Sequence, residues 1–247
     1  MRRFAAVVVV LVATLLGVPS VASASAASRD YVALGDSYSS GVGTRTYFPD
    51  SGVCARSPLA YPSLYRATHR ISSFAFVACA GATVADVTGQ LSAVTRQTDL
   101  VTMTVGGNDV GFGAVLAACS APPRSPEQCQ AAVVAGQAAI SNIPARVTAL
   151  LANIQARVNP GTEVVVLGYP RLFGAGPCTA PGLPISSIRN AIDDGTDRLN
   201  QAISAAAQTH GALFVDVSSK FAGHGACAES KSQWINPPTA QGPGVVA

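Results

Sequence analysis

The sequence predicts an α/β fold with a central parallel sheet, built as a single doubly wound domain. Four nearly continuous apolar runs, rich in β-branched residues, are typical of parallel strands that are covered on both faces. Helical patterns lie between these runs, and strands that alternate with helices favour a doubly wound sheet. Such sheets place ligands at the carboxyl ends of their strands. The predicted strands are Tyr31–Leu34, Leu100–Val105, Glu163–Leu167 and Ala212–Val217.

Two helices are predicted from apolar residues that recur at three- and four-residue spacing. The first runs from Ile140 to Val158 and ends before Pro160-Gly161. The apolar stripe of the second extends from Ile185 to Ile203, with Gly211 as the expected stop. No linker or internal repeat divides the later part of the chain, so we expect one domain.

The first 26 residues are predicted to be a secretory signal peptide. Arg2 and Arg3 form a short positive region, and the unbroken apolar run Ala5–Val18 is followed by small residues. This run is shorter than the roughly 20 residues that a membrane-spanning helix needs, which favours a cleaved signal over an anchor. We therefore expect a signal peptide over residues 1–26 and an exported, extracellular domain over residues 27–247.

The charge of the chain argues against nucleic acid as a partner. The formal net charge is +3, and loss of Arg2 and Arg3 with the signal peptide lowers it to +1. A domain this close to neutrality has no basic surface to hold a phosphate backbone. The sequence contains no P-loop, no complete dinucleotide fingerprint and no H-E-x-x-H motif. We expect no cofactor, no metal, no stable membrane insertion and a monomeric protein.

Three glycine-containing motifs carry the chemistry. Gly35-Asp36-Ser37 ends the first predicted strand, where a substrate can reach a serine hydroxyl, although serine at this position also commonly caps a helix. Gly106-Gly107-Asn108-Asp109 ends the second strand, and the Asn108 amide can donate to a developing oxyanion. Between these motifs, Gly81 can offer its backbone N–H to the same oxygen. Acyl transfer needs such a hydroxyl nucleophile and convergent N–H donors.

These motifs resemble three of the four sequence blocks of the GDSL/SGNH hydrolase superfamily, and most closely its secreted actinobacterial lipases and esterases. The resemblance extends from about Tyr31 to Trp234. It implies a three-layer, flavodoxin-like fold and a secreted carboxylic ester hydrolase that acts on acyl lipids or other fatty esters. It also implies that Ser37 is the nucleophile, and that the Ser37 N–H, Gly81 and Asn108 form the oxyanion hole.

The six cysteines are expected to form three disulfides, because an exported chain matures in an oxidising compartment. The residues alone leave the pairing open and favour Cys119 with Cys129 only as a local pair around a proline-rich loop. The resemblance implies pairing of sequence neighbours, that is Cys54–Cys79, Cys119–Cys129 and Cys178–Cys227.

The fourth block, which carries the superfamily's catalytic histidine, departs from the family pattern here. The corresponding segment starts at Trp234-Ile235-Asn236 and runs into a Pro-Thr-Ala-Gln-Gly stretch without a histidine. Among the three histidines present, His224 is the candidate for a substitute base, although a loop role is the simpler reading. His69 is expected at the surface and His210 at a helix end, where its charge complements the helix dipole.

Three functions stay open from the sequence. The first is ester hydrolysis through Ser37. The second is a non-catalytic secreted relative that binds an ester or a glycan, which the missing histidine motivates. The third is deacetylation of polysaccharides, since the same four blocks serve both kinds of esterase. Turnover of a chromogenic ester separates the first from the second, and a comparison of fatty esters with acetylated sugars separates the first from the third.

Overall fold

The computed structural model describes residues 28–120, 125–174, 178 and 183–236, and the predicted signal peptide lies outside them. Within these residues the chain alternates between strands and helices. The strands are β1 (Arg29–Ala33), β2 (Ile71–Phe76), β3 (Leu100–Met103), β4 (Glu163–Leu167) and β5 (Leu213–Val215). The α-helices are α1 (Ser37–Ser40), α2 (Tyr61–Thr68), α3 (Val84–Gln90), α4 (Phe112–Ser120), α5 (Pro126–Ala139), α6 (Ile143–Gln155) and α7 (Ser186–Thr209). Short 3₁₀ segments lie at Pro49–Cys54, Leu91–Ala93 and Ile140–Asn142.

The five strands of the described region form one sheet in the order β2-β1-β3-β4-β5, and all neighbouring pairs are parallel. This is the flavodoxin-like, doubly wound order, so the predicted fold class is confirmed. The direction of the strand order reverses between β1 and β3. At such a switch point the loops after two adjacent strands diverge and leave a crevice for a ligand.

Apolar side chains cover both faces of the sheet, because successive residues of a strand point to opposite sides. Val32, Val101 and Met103 belong to the larger cluster, which also contains residues of α3, α6 and α7. Tyr31 and Leu100 belong to a smaller cluster, which packs against α2. Full burial of one such side chain contributes about 1.5–3 kcal/mol. The sheet is thus the middle layer between helices, and its carboxyl edge stays free for the site.

Both predicted helices are confirmed. The apolar spacing of α6 buries one stripe, formed by Ile143, Val147, Leu150, Leu151 and Ile154. The chain leaves α7 at His210, and the following Gly211 has a φ of +63°, which glycine adopts without strain.

Strand β2 was missing from the sequence prediction. It lies at the edge of the sheet beside β1, and its residues Ser72 and Ser73 are exposed. Because an edge strand is only partly covered, its sequence lacks the continuous apolar run of a buried parallel strand. The four predicted strands are confirmed, and three of them end earlier than expected, β1 at Ala33, β3 at Met103 and β5 at Val215.

All six cysteines are paired, as Cys54–Cys79, Cys119–Cys129 and Cys178–Cys227. These are the pairs that the family resemblance implies. The bridge from Cys54 to Cys79 joins the loop after α1 to the turn that contains Gly81. In the part of the chain that the structure describes, no helix is long and apolar enough to cross a membrane.

Candidate active site

Ser37 begins α1, four residues after the end of β1, at the carboxyl edge of the sheet. Gly35 has a φ of +120°, and a Cβ there would lie 2.6 Å from the carbonyl oxygen of Thr104, so this turn requires glycine. The side-chain amide of Gln90 accepts from the Gly35 N–H at 2.8 Å and donates to the Gly35 C=O at 3.0 Å. Contacts from β3 and α3 therefore fix the nucleophile turn, which we define as residues 35–37.

Asp36 caps α1 and is only 1% exposed. Its carboxylate accepts hydrogen bonds from the Tyr38 N–H at 3.0 Å, from the Thr104 hydroxyl at 2.6 Å and from the Tyr169 hydroxyl. Burial raises the pKa of this carboxyl to about 6, and the hydrogen bonds offset part of the rise. Because donors from three segments occupy its oxygens, Asp36 holds the nucleophile turn in place.

A second set of buried hydrogen bonds ties α1, which follows the nucleophile turn, to the end of β3. The Ser39 N–H donates to Thr104 Oγ1 at 3.1 Å, and the Thr104 N–H donates to Ser39 Oγ at 2.9 Å. The Tyr61 hydroxyl of α2 lies 3.1 Å from Ser39 Oγ. Since buried polar groups are costly to leave unpaired, these reciprocal bonds define a single arrangement of the two loops.

Asn108 lies in the loop of residues 106–109, which follows β3 and which we call the Asn108 loop. One N–H of its side-chain amide donates to the Ala82 carbonyl at 2.9 Å. A primary amide has two N–H groups, so one donor remains for a substrate oxygen. The backbone N–H of the neighbouring Gly107 donates to the Tyr169 hydroxyl at 3.0 Å. Tyr169 thus bridges the Asn108 loop to Asp36 of the nucleophile turn.

Gly81 lies in the turn after β2. Its φ is +81°, and a Cβ there would meet no atom within 4 Å, so the backbone conformation and not the space favours glycine. The Cys79 N–H donates to the Gly35 carbonyl at 3.0 Å, while Ala82 accepts from Asn108. These bonds hold the Gly81 turn between the other two loops. Three predicted site segments therefore meet at the carboxyl ends of adjacent strands.

An apolar cleft that opens to the solvent lies beside Ser37. Ser37, Asn108 and Tyr169 contribute to its wall on the side of the sheet. The apolar wall comes from the residue after the Asn108 loop, from α4 and α5, from the 3₁₀ segment after α5 and from α7, through Val110, Phe112, Val115, Val133, Ile140, Ala191, Ile192 and Leu199. Such a wall accommodates a hydrocarbon chain, whereas a sugar would leave hydroxyl groups without partners there.

Among the described residues that line this cleft there is no histidine. His69 precedes β2 and His210 precedes β5, so both lie at the amino edge of the parallel sheet, opposite the edge that carries Ser37. His224 follows β5; its Nδ1 lies 2.6 Å from the Ser232 carbonyl oxygen, and its ring stacks on Trp234 at 3.7 Å. A proton on Nδ1 leaves Nε2 as an acceptor, which is the tautomer that a base requires. Its role as substitute base stays a prediction.

The segment that corresponds to the fourth sequence block returns to the nucleophile side of the molecule. The Asn236 side chain donates to the Gly43 carbonyl at 3.1 Å. Gly43 lies in the loop after α1, and at the start of that loop the Gly41 N–H donates to the Ser37 carbonyl at 2.9 Å. Asn236 is thus held near the nucleophile turn. In the family pattern, the histidine follows the position that corresponds to Asn236.

Ser37, with its hydroxyl, and Asn108, with its side-chain amide, both line this cleft at the carboxyl ends of two adjacent strands. That layout, on a doubly wound sheet, defines the class of serine acyl hydrolases. A model of the GDSL-like lipase/acylhydrolase family matches residues 33–242. The chain belongs to this family.

Relatives from Streptomyces agree with this assignment. The chain is 40% identical to a lipase from Streptomyces rimosus over 241 residues, which span 95% of this chain and 88% of the relative. The crystal structure of an extracellular lipase from the same organism matches with a TM-score of 0.81 and 39% identity, over 89% of this chain and 93% of that chain. The crystal structure of phospholipase A1 from Streptomyces albidoflavus matches with a TM-score of 0.82 and 39% identity, over 89% and 92% of the two chains. These similarities confirm the predicted resemblance and the class of serine ester hydrolase.

Sequence reasoning missed the side chains that hold the three loops together. Tyr169, Thr104 and Gln90 contact residues of the site from other parts of the chain. Arg146 pairs with Asp109 at 3.0 Å, and the Asp109 side chain is 2% exposed. Tyr169 and Thr104 had a usable signal, since they follow β4 and β3 at the carboxyl edge, where this class of sheet concentrates its functional groups.

Proposed function

We propose that the chain is a carboxylic ester hydrolase that acts outside the cell, as a monomer, on acyl lipids or other fatty esters. The Ser37 hydroxyl attacks the ester carbonyl carbon, the alcohol leaves, and water then hydrolyses the acyl-enzyme. The free N–H of the Asn108 amide, together with the backbone N–H groups of Gly81 and Ser37, stabilises the oxyanion of each tetrahedral intermediate. The scheme requires neither a metal nor a cofactor.

The apolar cleft beside Ser37 carries this proposal. It provides a place for a fatty chain whose carboxyl end would lie at the nucleophile. The relatives named as lipases, and the one named as a phospholipase A1, support a fatty acyl substrate. An acetylated polysaccharide would leave most of the cleft empty, which favours fatty esters over the deacetylase alternative.

We further propose that residues 1–26 are removed as a signal peptide and that the domain over residues 27–247 is exported. The three disulfides support export, because such bonds persist in oxidising compartments. N-terminal sequencing of the protein recovered from the culture medium should give a start near residue 27. Protein that stays in the cell with Met1 intact would contradict the assignment.

The nucleophile is tested by Ser37→Ala, measured on p-nitrophenyl esters of increasing chain length. Ester turnover should fall to the background rate, because the variant lacks the attacking hydroxyl, while the melting temperature stays unchanged. Ser187→Ala is the matched control, since this exposed serine near the start of α7 lies outside the cleft. Turnover of Ser37→Ala near the starting level would remove Ser37 from the mechanism.

The general base sets the rate of the reaction. Loss of the histidine from a serine–histidine pair typically lowers kcat by about 10⁶ and leaves roughly 10³–10⁴ over the reaction in water. If His224 is the base, His224→Ala should abolish turnover while His210→Ala, at the opposite edge of the sheet, has no effect. If no residue of the chain is the base, imidazole in solution should raise the Ser37-dependent rate, because it can take the hydroxyl proton.

A non-catalytic binding protein is the second candidate, and one observation favours it: within the described residues no histidine lines the cleft. Such a protein would bind a fatty ester and show no Ser37-dependent turnover, with or without imidazole. Hydrolysis that depends on Ser37 under either condition would exclude this candidate.

A further inference from the structure

Two glycines inside helices line the apolar cleft, Gly136 in α5 and Gly195 in α7. Glycine is an unfavourable residue in a helix interior, because it loses more backbone freedom than any other residue. Neither position has a positive φ. The backbone conformation therefore does not require glycine at either position, and the reason for its presence lies in the surroundings.

The surroundings of the two glycines differ. A Cβ at Gly136 would lie 2.9 Å from the backbone carbonyl oxygen of Val110, so this glycine allows α5 to pack closely against the Asn108 loop and its continuation. A Cβ at Gly195 would meet no atom within 4 Å. Close packing thus explains Gly136 and does not explain Gly195.

The position of Gly195 on α7 shows where a side chain would go. Ala191, Ile192 and Leu199 also line the cleft, and each lies three or four residues from Gly195, which is the spacing of one helix face. A side chain at position 195 would therefore extend from the middle of this face into the cleft. Because glycine has no side chain, position 195 leaves this space to the cleft, and neither the backbone conformation nor the packing around it requires glycine.

We propose that Gly195 is a specificity-determining residue, which keeps the cleft wide enough for an unbranched long acyl chain. This inference rests on the proposed function for the identity of the ligand. It predicts that side chains of increasing size at position 195 progressively exclude long chains from the cleft. Leu at this position would displace about three methylene groups of a bound chain, and each buried methylene contributes about fourfold in affinity.

The first measurement is binding, so that it does not depend on turnover. In the Ser37→Ala background, the fluorescence of cis-parinaric acid, an unbranched fatty acid, reports occupation of the cleft. Gly195→Leu should weaken its binding by about 60-fold, and Gly195→Ala by about fourfold. Gly89→Leu is the matched control, because Gly89 is an exposed glycine of α3 with no atom within 4 Å of an added Cβ and lies outside the cleft.

The second measurement uses chains with Ser37 intact. The ratio of kcat/KM for p-nitrophenyl palmitate to that for p-nitrophenyl acetate should fall at least tenfold in Gly195→Leu and stay constant in Gly89→Leu. If Gly195→Leu does not fold, kcat/KM should fall for both esters and the melting temperature should fall with it. In that case Gly195→Ala, which changes the side chain less, provides the test.

The possible outcomes separate this inference from the proposed function. The role of Gly195 would be overturned if Ser37→Ala bound parinaric acid equally well with and without Gly195→Leu. It would also be overturned if the Ser37→Ala parent did not bind parinaric acid. Weakened binding in a chain that shows no Ser37-dependent turnover would support the role of Gly195 and refute ester hydrolysis.

Discussion

The hydroxyl group of Tyr169 is predicted to hold the nucleophile turn and the Asn108 loop together, and Tyr169→Phe removes it alone. Tyr169 is 4% exposed, and its hydroxyl donates to Asp36 while it accepts from the Gly107 N–H at 3.0 Å. The ring keeps its edge-to-face contact with Tyr38, at 4.9 Å between centroids, because phenylalanine has the same ring. The perturbation is therefore confined to two hydrogen bonds.

Two terms determine the cost of Tyr169→Phe. A hydrogen bond to a charged group contributes about 1.5–3 kcal/mol, and a buried N–H left without an acceptor costs about 1–3 kcal/mol. We expect the free energy of unfolding to fall by about 3–5 kcal/mol above pH 7, where Asp36 is ionised. Loss of the Tyr169 donor also raises the pKa of Asp36 further, because that hydrogen bond favours the charged form.

The sign of the pH effect follows from the charge of Asp36. Its pKa in the folded protein, about 6, already lies above the ordinary 3.8, so ionisation of Asp36 opposes folding as pH rises through 6. The Tyr169 hydroxyl reduces this penalty only when Asp36 is charged. The destabilisation by Tyr169→Phe should therefore be larger at pH 8 than at pH 5, where the charged hydrogen bond contributes little.

Urea unfolding at both pH values, followed by circular dichroism, measures these differences. Tyr31→Phe is the matched control, since Tyr31 is 1% exposed and its hydroxyl shares a neutral hydrogen bond of 2.8 Å with Thr102. The control should cost about 0.5–1.5 kcal/mol at either pH. The reasoning fails if Tyr169→Phe costs no more than Tyr31→Phe, or if its cost is the same at pH 5 and pH 8.

Further predictions concern the oxyanion donor, the buried carboxyl and the disulfides. Asn108→Ala should lower kcat by about 10²–10³ with little change in KM, because the amide acts mainly in the transition state; a change in KM alone would assign Asn108 to substrate binding. Asp36→Asn does not titrate, so the unfolding free energy of the wild type minus that of the variant should fall by about 2–2.5 kcal/mol between pH 4 and pH 7. A difference that is constant in urea unfolding across this range would show that Asp36 keeps its ordinary pKa. Replacing both cysteines of the 49-residue pair Cys178–Cys227 with alanine should cost about 4 kcal/mol. The same change in Cys119–Cys129, which are 10 residues apart, should cost about 3 kcal/mol, and the reverse order in denaturant unfolding would contradict the loop-entropy argument.

Local patterns in the sequence were sufficient for the fold class and for the order of the site motifs. Continuous apolar runs identify buried parallel strands, because both faces of such strands need apolar cover. For the same reason the pattern did not reveal β2, an edge strand with exposed serines. The three motifs could be found because each is a short run of adjacent residues that follows a strand, as Asp36 and Ser37 follow β1.

Only the tertiary structure decided how these motifs are held and what they face. The contacts of Tyr169 with Asp36 and Gly107 join residues that are 133 and 62 positions apart, and no local periodicity encodes such contacts. The apolar cleft likewise arises where α4, α5 and α7 pack beside Ser37, so its width depends on Gly195, which in the sequence is one more residue of an amphipathic helix. Local propensity depends on neighbours in the chain, whereas burial, the pKa of Asp36 and the shape of the cleft depend on neighbours in space, which the strand order β2-β1-β3-β4-β5 brings together.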